Sequence, residues 1–334
     1  MVTLEEVARR AGVSLATASR VLNGSTRKVG DALRERVERA AAELGYRPDV
    51  TAQALARGSA DVVGLVVHSL TDPYFAALAE GAMAAAERRG LTVMIGATHR
   101  DPAREVALVA TLRAQRVRAI VLAGSRTARS RPGLAAELEL FRARGGRVAL
   151  VGQELPGLPA VAPANREGGA ALARALAGLG HRHFAVLGGP PDLLTARHRT
   201  DGFTGALRDL GLPEPRVVPG GFDRDGGHDA ARALLDTGLG EVTCVFAVND
   251  VMAVGALAAL RERGVAVPDD LSLAGFDDIA PLRDHVPALT TVRLPLDEMG
   301  GRAVDLALGG GPDDGSGVVA VPGEVVLRAS ARRL

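Results

Sequence analysis

The first two dozen residues constrain this chain most, because residues 3–24 hold two short helical patterns separated by a tight turn. Thr3 followed by Glu6 has the spacing of a capping box, which predicts that a helix begins directly after Thr3. Gly12 stands where a left-handed residue ends a helix, and Ser14 predicts the cap of a second helix. Two helices joined in this way form a helix-turn-helix, the second helix of which enters the DNA major groove.

The outward face of the second helix carries short or hydrogen-bonding side chains, namely Leu15, Ala16, Thr17, Ser19 and Arg20. An arginine can make a bidentate contact to guanine, and small apolar groups can touch a thymine methyl group. An ordinary pair of surface helices shows the same capping and turn signals. These residues alone therefore leave both interpretations open.

Residues 13–23 read VSLATASRVLN, which resembles the signature V-S-x-A-T-V-S-R-V-L-N of the lactose/purine-repressor (LacI–GalR) family and departs from it at Ala18. Residues 45–48 (GYRP) lead into residues 49–56 (DVTAQALA), which are similar to the hinge helix of that family. The resemblance runs nearly from end to end. It implies a homodimeric or tetrameric transcription regulator, most often a repressor, that binds palindromic operator DNA and a small-molecule effector.

The resemblance also implies a set of DNA-binding residues: Thr3, Ser14, Leu15, Ala16, Thr17, Ser19, Arg20, Asn23, Lys28, Tyr46, Gln53 and Leu55. Leu55 matches the leucine that, paired across a dimer, wedges into the minor groove and bends the duplex. The alternative for this segment is a flexible linker. Both interpretations are compatible if the segment is disordered in the free protein and helical on DNA. Gly30 replaces a common serine, which removes a helix cap and one possible phosphate contact.

The chain of 334 residues exceeds one typical domain, so two or three are expected. Residues 31–44 predict a third helix with five apolar residues on one face: Leu33, Val37, Ala40, Ala41 and Leu44. The predicted division is a helix-turn-helix domain at 1–48, a hinge helix or linker at 49–60, and an effector-binding and dimerisation domain at 61–334. Residues 1–58 hold ten Lys and Arg against seven Asp and Glu, which weakly favours a DNA-binding head.

After residue 61, short apolar runs alternate with helical patterns, as in α/β proteins with parallel sheets. Strands are predicted at 62–67, 92–96, 119–122, 148–151, 184–187, 217–219, 242–248 and 271–275. Helices are predicted at 74–89, 103–115, 134–144, 167–178, 196–210, 226–237 and 250–263. So many strands need two doubly wound lobes, and the resemblance implies the periplasmic-binding-protein type-1 fold. It assigns one lobe to about 61–161 and 290–320, and the other to 162–289 and 321–334.

An effector is expected in the cleft between the lobes, at the carboxyl ends of the strands. The resemblance implies a set of effector-binding residues: Asp72, Tyr74, Phe75, Gln153, Arg199, Phe222 and Asp250. Aromatic rings can stack on a sugar or base ring, and an arginine offers a planar fork for hydroxyl pairs. Phe75 packing under its helix and Asp250 capping a helix are the plainer alternatives.

Three departures from the family pattern bear on the effector. Gly152 stands where an Asp is common, Pro163 and Ala164 replace an Asp-Asn pair, and Leu294 replaces a polar residue. The expected effector is a sugar or a sugar derivative, and a regulator without an effector is the alternative. The sequence leaves open whether the effector induces or co-represses.

Other classes of protein find less support. Cys244 is the single cysteine, and it lies in an apolar run that predicts a buried, inert thiol in a reducing compartment. Neither a signal peptide nor a membrane helix is predicted, so a cytoplasmic, nucleoid-associated protein is expected rather than a transporter's solute-binding protein. No nucleophile–base pair, phosphate loop or metal-ligand set is found, and an enzyme, a cofactor and a metal are not expected.

Overall fold

The computed structural model describes residues 2–23, 29–47, 59–125, 132–309 and 317–334. Cα proximity divides the chain into two compact units, Met1–Asp61 and Val62–Leu334, called here the N-terminal and C-terminal units. Most of the predicted hinge segment lies outside the described residues. Three predicted DNA-binding residues lie outside them as well: Lys28, Gln53 and Leu55.

The N-terminal unit is a bundle of three helices, as the sequence predicts: α1 (Leu4–Ala11), α2 (Leu15–Asn23) and α3 (Asp31–Leu44). The capping box at the start of α1 is present, because the Thr3 hydroxyl accepts from the Glu6 N–H and the Glu6 carboxylate accepts from the Thr3 N–H. These two bonds satisfy donors that a helix start otherwise leaves free.

The turn between α1 and α2 is fixed by Gly12, whose φ of 64° is left-handed. The Arg36 guanidinium of α3 donates to the carbonyl of Ala11 and so ties the turn to the third helix. Ser14 caps α2 by accepting from the Thr17 N–H at 3.1 Å. These bonds fix the angle at which α2 leaves the turn.

The core of the N-terminal unit is built from small apolar residues: Val7, Ala8, Ala11, Ala18, Val37, Ala40 and Ala41. The sequence pattern places Leu33 on the same inward face, but its side chain is 39% exposed. That expectation is wrong because Leu33 lies in the first turn of α3, one turn before the first buried residue, Val37. The first turn of α3 therefore contributes little to the core.

The C-terminal unit alternates strands and helices. Its strands β1–β12 are Ala60–Val67, Thr92–Ala97, Val117–Ala123, Arg147–Val151, Ala160–Pro163, Phe184–Gly188, Arg216–Pro219, Cys244–Ala247, Ser272–Ala274, Thr291–Arg293, Val318–Val321 and Glu324–Val326. Its helices α4–α11 are Pro73–Glu87, Pro102–Ala114, Pro132–Ala143, Asn165–Gly178, Leu194–Asp209, Arg224–Asp236, Asp250–Glu262 and Leu296–Ala307.

The strands form two sheets and a small ribbon. One sheet has six strands in the order β11-β5-β4-β3-β1-β2, and the other has four in the order β7-β6-β8-β9. Every described pairing in these two sheets is parallel. β10 and β12 pair antiparallel in the ribbon, where the chain passes between the two sheets. The predicted α/β class with two doubly wound lobes is thus confirmed.

Three helix pairs in the C-terminal unit cross with their backbones close together, namely α4 with α11, α7 with α8, and α9 with α10. Each helix of a pair contributes a glycine at the crossing. A Cβ atom on Gly202 of α8 would clash with the Arg166 carbonyl oxygen of α7, and one on Gly169 would clash with the Arg199 carbonyl oxygen. These glycines let the helices pack as close pairs.

Candidate nucleic-acid interface and interlobe cavity

The exposed face of α2 presents the side chains that the sequence proposes as base readers. Leu15 is 50% exposed, Ala16 and Arg20 are also exposed, and Thr17 and Ser19 are half-buried. Ala18 on the opposite face is completely buried in the bundle. The helix therefore has one face fixed in the core and one face able to enter a groove.

The remaining described DNA-binding candidates have structural partners in the N-terminal unit. The hydroxyl groups of Thr3 and Ser14 serve as helix caps. Tyr46 is half-buried against the helical core. Asn23 is the last residue of α2, and its side chain lies outside the described residues.

A cavity lies between the two lobes of the C-terminal unit, where the carboxyl ends of the strands meet. The volume of the cavity is about 30 Å³. Its lining residues are Asp72, Tyr74, Phe75, Arg100, Gly124, Ser125, Gly152, Pro163, Asn165, Thr195, Arg199, Phe222, Asn249 and Asp277. Nearly every one follows the end of a strand, which is where open α/β sheets bind ligands.

Arg199 is the centre of the polar network in this cavity, and only 2% of its surface is exposed. Its Nε donates to the Asn165 Oδ1 at 2.8 Å, and its Nη2 donates to the Asp277 Oδ1 at 2.8 Å. Its Nη1 donates to the Val248 carbonyl, and the Phe276 ring centre lies 3.8 Å from the guanidinium carbon. Every nitrogen of the guanidinium is thus held in one orientation.

The carboxyl groups of the cavity are shifted toward the neutral form. Burial raises the pKa of Asp277 to about 7, although the Arg199 guanidinium opposes the shift. Burial likewise raises the pKa of Asp72, against the hydrogen bond that it accepts from the Tyr74 N–H. Burial also raises the pKa of the Tyr74 hydroxyl, so this phenol remains a hydrogen-bond donor at neutral pH.

Two contacts bridge the cavity from one lobe to the other. The Arg100 guanidinium carbon lies 5.1 Å from the centre of the Phe222 ring, and its Nη2 approaches the Phe222 carbonyl oxygen. The hydroxyl groups of Ser125 and Thr195 form a hydrogen bond. The lobes therefore stand closed on each other at this site.

Five of the seven predicted effector-binding residues line this cavity: Asp72, Tyr74, Phe75, Arg199 and Phe222. Gln153 lies beside the lining residue Gly152 but is not itself in the lining. Asp250 is fully buried behind the cavity, where it accepts from the Thr291 hydroxyl at 2.7 Å and the Ile279 N–H at 2.9 Å. A ligand-contacting role for these two residues stays a prediction.

The sequence interpretation missed several lining residues, most notably Asp277, Asn165 and Asn249. Asn249 caps α10 by accepting from the Met252 N–H at 2.7 Å. Asp277 follows a predicted strand closely, so its position was a usable signal. What the sequence could not supply was its contact with Arg199, which is 78 residues away along the chain.

Asp278, next to Asp277, turns away from the cavity into a cluster of three arginines. Its carboxylate lies 2.7 Å from nitrogens of Arg293 and Arg328 and 3.3 Å from Arg283. Burial raises the pKa of Asp278, but the two closer guanidiniums outweigh this and hold it below the ordinary value. Arg293 belongs to β10 and Arg328 follows β12, so this three-arginine cluster holds the ribbon between the lobes.

Comparisons with known proteins agree with this arrangement. Residues 3–49 match the family described as "Bacterial regulatory proteins, lacI family", and residues 173–331 match "Periplasmic binding protein-like domain". The HTH-type transcriptional regulator GalS of Salmonella typhimurium strain LT2 is 36% identical over 314 residues, which cover 93% of this chain and 90% of GalS.

Solved structures of other proteins align with nearly the whole length of this chain. The Lac repressor dimer bound to operator and the anti-inducer ONPF has a TM-score of 0.83 at 26% identity, and the match covers 99% of both chains. The complex of the transcriptional regulator CelR with cellobiose has a TM-score of 0.69 at 31% identity, and the match covers 99% of this chain and 100% of that one.

Within the described residues, no helix is long and apolar enough to cross a membrane. The relatives are transcription regulators and not enzymes, and the helix-turn-helix and the two-lobed α/β unit match theirs along nearly the entire chain. The chain belongs to the LacI family of DNA-binding transcriptional regulators.

Proposed function

We propose that this regulator is a repressor that binds a palindromic operator as a homodimer, and that a sugar-like effector in the interlobe cavity controls this binding. The observation that carries the proposal is the orientation of Arg199, held by Asn165 and Asp277 inside a cavity that both lobes close. Such a fixed guanidinium beside a carboxyl and an amide suits a ligand rich in hydroxyl groups.

The chemistry of the cavity supports a polyol ring as the ligand. Asp72, Asp277 and Asn249 offer oxygen acceptors, and Phe222 and Tyr74 offer flat apolar surfaces. The structure of the relative CelR is a complex with cellobiose, which supports a saccharide as the class of effector. Gln153 and Asp250, which lie outside the lining, are proposed as effector-binding residues as well.

The proposed control is a two-state equilibrium between lobe arrangements. An effector shifts this equilibrium by its difference in affinity for the two states. The Arg100–Phe222 and Ser125–Thr195 contacts span the cleft, so they form in the closed arrangement and break when the lobes separate. The predicted hinge, residues 49–60, then couples the lobes to the DNA-binding domain at 1–48.

Operator recognition is proposed to use the face of α2, with Arg20 as a base reader. A single helix of this size reads few base pairs, and two half-sites in a palindrome sharpen the discrimination. Lys28, Gln53 and Leu55 are proposed to extend the contact along the duplex, as the family resemblance implies. A cytoplasmic location follows from this role.

Dimerisation is proposed to use the apolar groove beside α10. The groove has a volume of about 540 Å³, and Val254, Leu257 and Leu282 lie in its lining. Val286 at its edge is 89% exposed, a costly position for an aliphatic side chain in an isolated chain. A second copy of this chain would cover it, and the Lac repressor relative is itself a dimer.

The test is a thermal-shift screen of sugars, sugar phosphates and nucleobases against the purified full-length protein. We expect one class of sugar to raise the melting temperature and to change the affinity for a palindrome selected from random duplexes. Because ligand binding stabilises the native state by mass action, a ligand at 100 times its Kd adds about 2.7 kcal/mol. A monomeric protein without preference for any palindrome would contradict the proposal.

A further inference from the structure

The amino-terminal edge of the six-stranded sheet lies opposite the cavity, because the cavity is built at the carboxyl ends of the strands. The chain passes from the N-terminal unit into the sheet at this edge, where β1 begins at Ala60. The connectors that lead from a helix into the next strand lie there too, since parallel strands begin at a common edge. The covalent link from the N-terminal unit therefore enters the C-terminal unit at this edge of the sheet.

The connectors at this edge hold more basic than acidic residues. Residues 88–91, 115–116, 144–146 and 308–317 lead from a helix into a strand of this sheet, and they include four arginines against two acidic residues: Arg88, Arg89, Arg116 and Arg144, and Asp313 and Asp314. The corresponding connectors of the four-stranded sheet hold two arginines against four acidic residues: Arg182 and Arg263, and Glu214, Glu241, Asp269 and Asp270. The two outer edges of the C-terminal unit thus differ in charge.

Five exposed arginines form what we call the basic rim: Arg88, Arg116, Arg142, Arg144 and Arg147. Within the described part of the chain, no carboxylate oxygen lies within 4.0 Å of their side-chain nitrogens. Arg89 differs, because it pairs with Asp305 at 2.8 Å. The rim therefore presents positive charge that the described fold does not neutralise.

Helix stability alone does not explain the rim. A cation near the carboxyl end of a helix interacts favourably with the helix dipole, and this accounts for an arginine in a last turn. The same reason applies to the helices that lead into the four-stranded sheet, yet acidic residues predominate in their connectors. The difference in charge between the two sets of connectors therefore depends on which sheet they lead into, and not on their position relative to the helix end.

We propose that the basic rim is a second DNA-binding surface, which attracts the phosphate backbone of duplex DNA without reading its sequence. Neutralising phosphates with Lys or Arg releases counterions and supplies most of non-specific affinity. Exposed charges act over about 10 Å at 0.1 M salt, so the rim needs no close fit to the duplex.

The test measures binding of the full-length protein to a random-sequence duplex of about 40 base pairs, by fluorescence anisotropy over a series of salt concentrations. The variant R88Q/R116Q/R144Q removes three rim charges. We expect weaker binding and a slope of log affinity against log salt that is shallower by up to about 0.9 for each phosphate that the rim no longer neutralises. Because random DNA is the probe, the test does not depend on the operator or the effector.

The matched control is R174Q/R232Q/R333Q, which removes the same net charge from exposed positions of the C-terminal unit outside the rim. We expect it to bind like the wild type. The variant R88K/R116K/R144K keeps the charges and should retain the affinity, since phosphate attraction needs only a point charge. Circular dichroism and the melting temperature verify that each variant is folded.

Several outcomes would overturn the rim as a DNA surface. They are equal losses of affinity in the rim variant and its control, an unchanged salt slope in the rim variant, and a lysine variant as weak as the glutamine variant. Undetectable binding of the wild type at about 50 mM salt would overturn it as well. A rim variant that binds DNA normally but fails to bind an acidic protein partner would reassign the surface.

Discussion

Arg199 and Asp277 form a buried ion pair across the lining of the interlobe cavity, with 2.8 Å between Nη2 and Oδ1. Both side chains are nearly inaccessible to solvent, and the pair joins α8 to the loop after β9. Taking two charges out of water is costly, and the remaining partners of Arg199 offset part of that cost. The pair fixes the orientation of the guanidinium that lines the cavity.

Replacing Asp277 with Ala leaves the buried Arg199 without its carboxylate. Removal of one partner from a buried pair typically costs about 3–5 kcal/mol of unfolding free energy. We expect a loss of this size in urea denaturation. The double variant D277A/R199M should regain much of it, because no unpaired charge remains. Additive losses in the double-mutant cycle would contradict the coupling.

A pH-dependent stability is expected from Asp250, because burial raises its pKa to about 6 from the ordinary 3.8. Between these two values the unfolded chain has lost the proton and the folded chain retains it. The unfolding free energy contributed by Asp250 therefore falls as pH rises from about 4 to about 6, and is constant above.

Urea denaturation between pH 4 and pH 7 measures this effect as a difference between the wild type and D250N. We expect the variant to lose part of the negative slope in that window. The exposed Asp192 provides the control, and D192N should show the same slope as the wild type. Parallel curves for D250N and wild type would show that Asp250 keeps an ordinary pKa.

Replacing Arg20 with Ala should weaken binding to a selected palindrome by about 1–3 kcal/mol more than binding to random DNA, as expected for a base-reading arginine. The control is Arg39→Ala, an exposed arginine of α3 away from the reading face of α2. Titration of both variants against both duplexes gives the comparison. Equal losses of Arg20→Ala on the two duplexes would remove it from base recognition.

Replacing Val286 with Asp should yield a folded monomer, because a charge buried in the proposed apolar contact is desolvated without a partner. Operator affinity should then fall steeply, since each half-site binds separately. The control is Leu210→Asp, an exposed apolar position outside the groove. Sedimentation velocity separates the outcomes, and a dimeric V286D would exclude this groove as the interface.

Helix pairing gives a prediction with a control on the same helix. Gly202→Ala adds a methyl group against the Arg166 carbonyl of α7, and such overpacking costs about 1–3 kcal/mol. Gly205→Ala, also in α8, meets nothing within 4 Å and should be neutral or stabilising by up to about 1 kcal/mol. Thermal unfolding of both variants measures the two changes in stability. Equal changes for Gly202→Ala and Gly205→Ala would contradict close packing at Gly202.

The parts of the fold that local signals specify could be predicted from the sequence. The Thr3 and Glu6 spacing and Gly12 located α1 and the turn after it, because capping and left-handed backbone are properties of neighbouring residues. The helix α11 was missed although Met299, Ala303 and Val304 have helical spacing. This helix lies between β10 and β11, where the chain passes from one lobe to the other and strands and helices no longer alternate regularly.

The candidate site could be predicted in part. The family resemblance supplied Arg199 and Phe222, which line the cavity. It did not supply Asp277, and its assignment of Asp250 to the ligand stays a prediction for a buried residue outside the lining. Asp250 and Asp277 both follow strands. Which of the two lines the cavity depends on how each side chain packs. That packing involves segments far apart along the chain, so no single stretch of sequence predicts it.

Asp277 and Asp278 are joined by one peptide bond, and both have left-handed backbone, with φ of 125° and 59°. One carboxylate faces the cavity and the next binds the three-arginine cluster. A mutation that re-aims residue 277 toward a new compound therefore also disturbs the anchor of the ribbon. We expect the evolution of new ligand preferences in this protein to proceed through other positions of the lining, such as Phe222 and Arg100, where a change leaves that anchor intact.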